Sequence, residues 1–376
     1  MRISLRRSYL FLVIGVAVAV ALVAPASAQA TAGSRHGHSG HQDGTGHHQH
    51  LRLDWRQTTL DADQNFRGLD GVNARVAWVT GESLSGGPGK VYRTVDGGRH
   101  WRDVSPPGTT GLSFRDVEAT GARTALVLSI GTGEAARIYR TTDGGATWTE
   151  TFENTDPNAF YDCMDFYPGN RIGLALSDPV DGRFRILRTV DAGRTWRVLP
   201  NTGMPYSAGE GGFAASGDCL TISGHTAFIG SGGAKARIYR STDLGRHWTV
   251  RRSTIPPGAA AGLFAIAMRN AHHGIAVGGD FADPADGADA SAYLSRHGRW
   301  RNGGDLPLVG EDVAWWGHVA IAVGQYGDAA GSSLSTDGGR HWRLFSDDGW
   351  HAVDCSRQAG CWAAGADGTV GRLHTR

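Results

Sequence analysis

The chain of 376 residues carries 37 Lys and Arg against 36 Asp and Glu, a formal net charge of +1, and is 40% hydrophobic with 56 glycines. A charge so close to zero lacks the basic field of a nucleic-acid binder, which excludes that class of partner. The glycines and the scarcity of helix-period stretches predict an all-β chain with many turns.

In chain order, residues 1–28 read as an export signal. Arg2, Arg6 and Arg7 form a positive end, Tyr9 to Val23 an apolar run, and Ala26-Ser27-Ala28 a small-residue cleavage site. The run is short for a bilayer span and nothing later is apolar enough to make one, so no membrane anchor is expected after cleavage. Arg6-Arg7-Ser-Tyr-Leu also resembles a twin-arginine signal. General secretion and twin-arginine export both lead to a periplasmic or secreted protein. Cleavage takes three arginines from the 37 basic residues and leaves 34 against 36 acidic ones.

Residues 29–50 are rich in Gly, Ser and His, with His36, His38, His41, His47, His48 and His50. Such a segment has too little apolar surface to fold and reads as a disordered leader. Imidazoles also ligate Zn, Cu or Ni, but this spacing matches no ordered site, so leader and metal capture both stand.

From residue 51 to the end one sentence repeats. Arg137-Ile-Tyr-Arg-Thr-Thr-Asp143-Gly-Gly-Ala-Thr-Trp148 reads as strand, tight turn and strand. Its relatives place Asp96 before Trp101, Asp191 before Trp196, Asp243 before Trp248 and Asp337 before Trp342. A worn copy, Tyr293-Leu-Ser-Arg-His-Gly-Arg-Trp300, lacks the Asp. The unit Ser/Thr-x-Asp-x-Gly-x-x-Trp is the Asp-box, or BNR repeat. Its carboxylate is expected to accept backbone N–H groups of the turn, its glycine to take positive φ, and its Trp to pack on the hairpin it has just left. Five copies of one turn serve folding rather than one reaction.

The tryptophans at 101, 148, 196, 248, 300 and 342 are spaced 47, 48, 52, 52 and 42 residues apart, the period of a β-propeller blade. Trp55 lies 46 residues ahead of Trp101 in a strand with no blade of its own, and the end of the chain offers three strands without a fourth. The expected fold is therefore an all-β, seven-bladed propeller over 51–376, closed by the N-terminal strand completing the last blade.

The innermost strands are expected to begin at Phe66-Arg67, Phe114-Arg115, Phe160-Tyr161-Asp162, Gly212-Phe213, Gly262-Leu-Phe264, Glu311-Asp312 and Trp350-His351. That gathers Arg67, Arg115, Tyr161, Asp162, Glu210 and His351 at one channel mouth, a polar pocket for an anion or peptide. The alternative pairs each arginine with Asp116, Asp162 or Glu210 to seal the channel. Cys355 and Cys361 flank a hairpin mouth and suit a disulfide; Cys163 and Cys219, near the first strands of neighbouring blades, make a second candidate pair.

Asp-boxes are shared by sialidases, sortilin-type propellers and xyloglucan-cleaving hydrolases. The fuller text, Phe66-Arg-Gly-Leu, Ala77-Trp-Val-Thr-Gly, Val91-Tyr-Arg-Thr-x-Asp-Gly-Gly, Phe114-Arg-Asp-Val and Ser177-Asp-Pro-Val-Asp-Gly-Arg-Phe, resembles the bacterial branch of the photosystem II stability/assembly factor family. The resemblance implies a seven-bladed assembly chaperone that carries arginines on its face, matched here by Arg67 and Arg115. No Cys follows the cleavage site, unlike the family's lipid-anchored forms, which implies a soluble protein. The expected function is a non-catalytic, monomeric binding module without cofactor, for a peptide or membrane-protein segment. The alternative is a sialidase-type glycoside hydrolase, with Tyr161 as nucleophile, Glu210 as its partner and Asp162 as acid. No dinucleotide fingerprint, haem motif or metal triad supports an oxidoreductase.

Overall fold

Each copy of the repeat folds into a four-stranded antiparallel blade. The computed structural model describes residues 53–213, 215–356 and 360–375, all within the unit His50–Arg376. The expected export signal and His-rich leader lie outside these residues. Blade 1 is built from Gln64–Asp70, Ala77–Ser83, Val91–Thr94 and Arg102–Asp103, and blade 2 from Ser113–Ala119, Ala125–Thr132, Arg137–Thr141 and Thr149–Glu153. Blade 3 has Phe160–Phe166, Gly173–Val180, Arg183–Thr189 and Arg197–Val198; blade 4 has Leu220–Ser223, Thr226–Gly230, Arg237–Ser241 and Thr249–Arg252. Blade 5 has Gly258–Asn270, His273–Asp280, Ser291–Leu294 and Trp300–Asn302; blade 6 has Asp312–Trp316, Val319–Tyr326, Ala329–Ser335 and Arg343–Ser346.

Blade 7 takes Ala352–Ser356, Gly360–Ala364 and Thr369–Thr375 from the end of the chain and Leu53–Thr59 from its beginning. The N-terminal strand pairs antiparallel with the last one, from Leu53 opposite Thr375 to Thr59 opposite Thr369. Trp55 is buried there, donating from Nε1 to Ser332 Oγ of blade 6 at 2.9 Å and packing edge-on against Trp350 at 5.4 Å. The ring is closed by a seam inside blade 7, which is completed to four strands with Leu53–Thr59 as its outermost one.

The core is itself a ring. One apolar cluster fills each junction: Val76, Trp78 and Phe114 join blades 1 and 2, Leu128, Tyr161 and Leu187 join 2 and 3, and Leu174, Phe184 and Tyr239 join 3 and 4. Phe228, Ile238 and Leu263 join 4 and 5, while Ile275, Val277 and Val313 join 5 and 6. Ile321, Val323 and Trp350 join 6 and 7, and Phe66, Tyr92 and Val370 close 7 onto 1.

The repeated turn is a clamp between blades, and this corrects the expectation for its Trp in three copies. Asp143 Oδ1 accepts from Thr141 Oγ1 and from the Thr147 N–H, both at 2.9 Å, and Gly145 N–H donates to Thr141 Oγ1 at 2.9 Å. Trp148, however, packs on Trp78 of the preceding blade and donates to Val104 O at 2.7 Å; Trp101 likewise packs on Trp362, and Trp342 donates to Ser291 Oγ. The turn glycine belongs to the same contact. A Cβ on Gly193, already at φ 73°, would stand 2.2 Å from Leu126 of blade 2. The turns of Trp101, Trp148 and Trp342 thus place the Trp against the neighbouring blade, whereas Trp196 packs edge-on against Phe166 of its own blade at 5.9 Å and Trp248 donates to Gly245 O of its own turn at 3.0 Å.

Carboxylates, buried at Asp116 and Asp312 and half-buried at Asp70, Asp165 and Asp354, tie the inner strands together. Asp70 accepts the Ala119 N–H at 2.6 Å, Asp116 that of Met164 at 2.6 Å, Asp165 that of Ile222, Asp312 that of Val353 at 2.8 Å and Asp354 that of Gly71 at 2.7 Å. Each bond crosses to the next blade. Blade 5 has no inner-strand carboxylate, and its junction with blade 4 uses a backbone bond, Ile266 N–H to Asp218 O at 3.0 Å. Both disulfides are formed, Cys163–Cys219 between blades 3 and 4 and Cys355–Cys361 across the blade 7 hairpin, in keeping with an oxidising, exported environment. Blade 4 departs from expectation: Glu210–Gly211 is a separate short strand paired with Gly232–Gly233, and the inner strand resumes only at Leu220.

Candidate functional site

In blades 1, 2, 3 and 5 a β-bulge throws one inner-strand residue into the channel mouth at which the inner strands begin, here called the upper mouth. The register shifts between Phe66 and Gly68, Phe114 and Asp116, Tyr161 and Cys163, and Leu263 and Ala265. The skipped residues are Arg67, Arg115, Asp162 and Phe264. A bulge re-aims a side chain that ordinary alternation would turn the other way. The residue before each bulge is a buried apolar anchor: Phe66, Phe114, Tyr161 and Leu263 are all 0% exposed.

Tyr161 therefore takes the place of Phe66 and Phe114 rather than of the arginines. It packs edge-on against Phe152 at 5.1 Å, and burial pushes its phenol up to about 12. Asp162 is the ring residue of blade 3. It is 1% exposed, its Oδ2 has no hydrogen-bond partner among the described residues, and burial with Asp178 nearby holds its carboxyl well above the usual range. Glu210 faces its own blade, where Arg237, Tyr239 Oη and Ser231 Oγ take up its carboxylate.

Glu311 organises the rest. Its carboxylate accepts from Arg67 Nη1 at 2.7 Å and from the Gln325 N–H at 2.8 Å, and it lies 2.9 Å from His351 Nδ1. A neutral imidazole with its proton on Nδ1 donates to that carboxylate. Burial lowers the His351 pKa against the pull of Glu311, which keeps the ring uncharged at neutral pH. Arg67 also donates to Ala215 O at 3.0 Å and lies over the Tyr326 ring at 5.8 Å.

Arg115 pairs with Glu82 at 3.2 Å and donates from Nε to Ser113 Oγ. Burial, with Arg67 adding its charge, brings the Arg115 guanidinium down to about 10. Both arginines are in ion pairs, but the partners are Glu311 and Glu82, from blade 6 and a second-strand end, not Asp116, Asp162 or Glu210. Those three are occupied by the Met164 N–H, buried without a cation, or bound to Arg237. Beside the charges lies an aromatic shelf. Phe213 meets Phe264 at 5.1 Å and Phe281 at 5.8 Å, and Phe281 stacks on Tyr326 at 6.2 Å with 40% of its surface exposed.

This mouth can read shape, apolar surface and anionic charge. Glu311 is spent on three partners, Glu210 is bound by Arg237, Tyr239 and Ser231, and the buried Tyr161 hydroxyl has no hydrogen-bond partner among the described residues, so no carboxylate is bonded to it as the hydrolase reading requires. Sequence reasoning missed Glu82, Tyr326 and Phe281, which come from the ends of second strands and their turns. It also passed over Glu311, although Gly310-Glu311 stands at the same strand end as Phe66-Arg67. Among the described residues no group of three or more His, Cys, Asp or Glu side chains is placed to hold a metal. The opposite mouth holds a cavity of about 430 Å³ walled by Met268, Trp315 and Asp354.

No protein-family model matches the chain, and no curated protein matches its sequence. Solved structures do. YCF48 bound to D1 peptide superposes with a TM-score of 0.60 at 14% identity, covering 86% of this chain and 95% of that one. YCF48 from Cyanidioschyzon merolae gives 0.57 at 16%, covering 85% and 98%. The RRP9 WD40 repeats give 0.56 at 12%, covering 86% and 98%. These likenesses are of fold.

Proposed function

We propose that this protein is an exported, non-catalytic propeller that holds a peptide, or a segment of a membrane-protein partner, at its upper mouth during assembly. Residues 1–28 serve as the export signal, residues 29–50 as a leader, and the mature protein works as a monomer in the periplasm or outside the cell. The observation that carries this reading is the mouth itself: Arg115 beside an aromatic shelf whose outer member, Phe281, is exposed. Rings of this kind take apolar side chains, and a guanidinium whose charge is strained by burial and a second arginine gains from an incoming carboxylate. The likeness of fold to YCF48, solved with a D1 peptide, supports a peptide as the ligand class. The resemblance of Phe66-Arg67 and Phe114-Arg115 to the assembly-factor family points the same way.

Panning a random peptide library on the immobilised mature protein tests this. Selected peptides should carry an aromatic side chain near an acidic group or a free carboxylate. Arg115→Ala combined with Phe281→Ala should weaken their capture by about tenfold or more. Arg67 is unsuitable for the test because its loss leaves Glu311 buried without its cation. Undiminished capture by the double variant would remove the upper mouth as the binding surface.

A further inference from the structure

Blade 5 is where the interblade clamp fails. Arg240 pairs with Thr249, one past Trp248, and Tyr293 pairs with Arg301, one past Trp300, so these positions are equivalent. Eight residues separate Arg240 from Trp248, but seven separate Tyr293 from Trp300. The turn is one residue shorter, and Leu294 replaces the hydroxyl residue that holds every intact copy. Its glycine shows the result. A Cβ on Gly245 would meet Leu174 at 3.0 Å and one on Gly339 would meet Ile275 at 2.8 Å, whereas Gly298 has no atom of another residue that near. Between blades 4 and 5 a crevice of about 270 Å³ stays open.

The same failure strands a cation. Arg93, Arg140 and Arg188 hold the place of Arg240 in blades 1 to 3, and each reaches across to the next blade. They donate to Ala122 O at 2.6 Å, Ala192 O at 2.9 Å and Leu244 O at 3.5 Å. The Arg240 side chain makes no hydrogen bond or ion pair among the described residues, and it is exposed where the other three are half-buried. Strand alternation sets Ile238 and Arg240 on one face beside Thr249 and Arg251, and that face lines the crevice. Phe228, Leu294 and Trp300 complete an apolar wall.

We infer that this crevice is a second ligand site, for a small apolar carboxylate. Its hydrocarbon part fills the space the missing clamp leaves, and its carboxylate takes the place of the carbonyl that Arg240 lacks, with Arg251 alongside. The volume suits one compact aromatic or branched group rather than a chain. The site is independent of the upper mouth and of the peptide reading.

The probe is 2-naphthoate, with neutral 2-naphthamide as its uncharged counterpart, followed by methyl NMR of the mature protein. Naphthoate should shift the Ile238 and Leu294 methyls saturably, and the amide should bind about tenfold or more weakly. Arg240→Gln with Arg251→Gln should bring naphthoate down to the amide's affinity. Replacing Leu294–Trp300 by the blade 4 turn Ser241–Trp248 should abolish binding of both; Leu294→Trp fills the same space without altering the turn and should do likewise. The proposal is overturned if naphthoate leaves those methyls unmoved, if it binds no better than the amide, or if either closed variant binds as the parent does.

Discussion

Glu311 is the side chain with most depending on it. It is fully buried and compensates Arg67 while positioning His351 and the backbone at Gln325. Glu311→Gln leaves a guanidinium buried without its anion, and loss of one partner of such a pair costs about 3–5 kcal/mol. Urea unfolding of the variant should show a loss of that size, and Glu311→Gln together with Arg67→Met should recover much of it. An unchanged midpoint in the single variant would mean that Arg67 is compensated by solvent instead. The neighbouring error of one residue in blade 3 is instructive. Phe160-Tyr161-Asp162 offers two aromatics where Phe66-Arg67 and Phe114-Arg115 offer one, and the bulge decides which aromatic is the anchor. A bulge costs one residue of register and leaves no mark in composition, so Tyr161 could be read as facing the mouth until the ladder was known. Glu82, Tyr326 and Phe281 were illegible for another reason: they reach the mouth from hairpins whose sequence distance to Arg67 and Arg115 varies from blade to blade.

At the scale of the element, the blade was written plainly. The Trp period gave the number of repeats, and the orphan strand at Trp55 together with the three-stranded end predicted the seam that the register of Leu53–Thr59 against Thr369–Thr375 bears out. What the repeat could not say is which surface its Trp covers, because a turn facing its own hairpin and one facing its neighbour have the same local sequence. The interrupted inner strand of blade 4 was hidden similarly, since Gly212-Phe213 matches the start of an inner strand but the ladder resumes only at Leu220. The seam makes a direct prediction. Removing Leu53–Thr59 should uncover the full edge of Thr369–Thr375 and strip Trp55 from Ser332 and Trp350, so the truncated protein should aggregate on light scattering. A form lacking only residues 31–50 should remain monodisperse and melt as the parent does. Identical behaviour of the two truncations would show that the strand is not needed for closure.

For the whole molecule, the ring of carboxylates around the channel should set the pH dependence of stability. Burial is the foremost cause that pushes Asp165 up to about 8 and Asp218 up to about 6, and it also raises Asp70, Asp116, Asp312 and Asp354. The N–H groups that the others accept favour the ionised form without outweighing desolvation, and the hydrogen bond Asp218 shares with Asp312 likewise lowers its pKa by less than burial raises it. An unfolded Asp titrates near about 3.9, so between there and these raised values the native protein holds protons that the unfolded chain has released. Stability must therefore fall as pH rises from about 4, with a step through Asp218 near about 6 and a further loss towards about 8. The turn aspartates work in the opposite sense. Hydrogen bonds from the turn hold Asp143 at about 2; burial is the largest single influence on Asp191, Asp243 and Asp337 and raises them, but the turn's hydrogen bonds together outweigh it and hold these at about 2 as well. Their contribution is present above about 4 and is lost as pH falls through about 2. The two sets together place the maximum in mild acid, on the order of pH 4–5, below the neutral plateau usual for a protein held by surface ion pairs. Urea midpoints measured from pH 3 to pH 9 should trace that maximum, and Asp218→Asn should flatten the fall near pH 6 without moving the acid limb. A profile that climbs to a plateau at neutrality would mean that water reaches the channel carboxylates and keeps them ionised, and the ring would then be held by its N–H bonds alone.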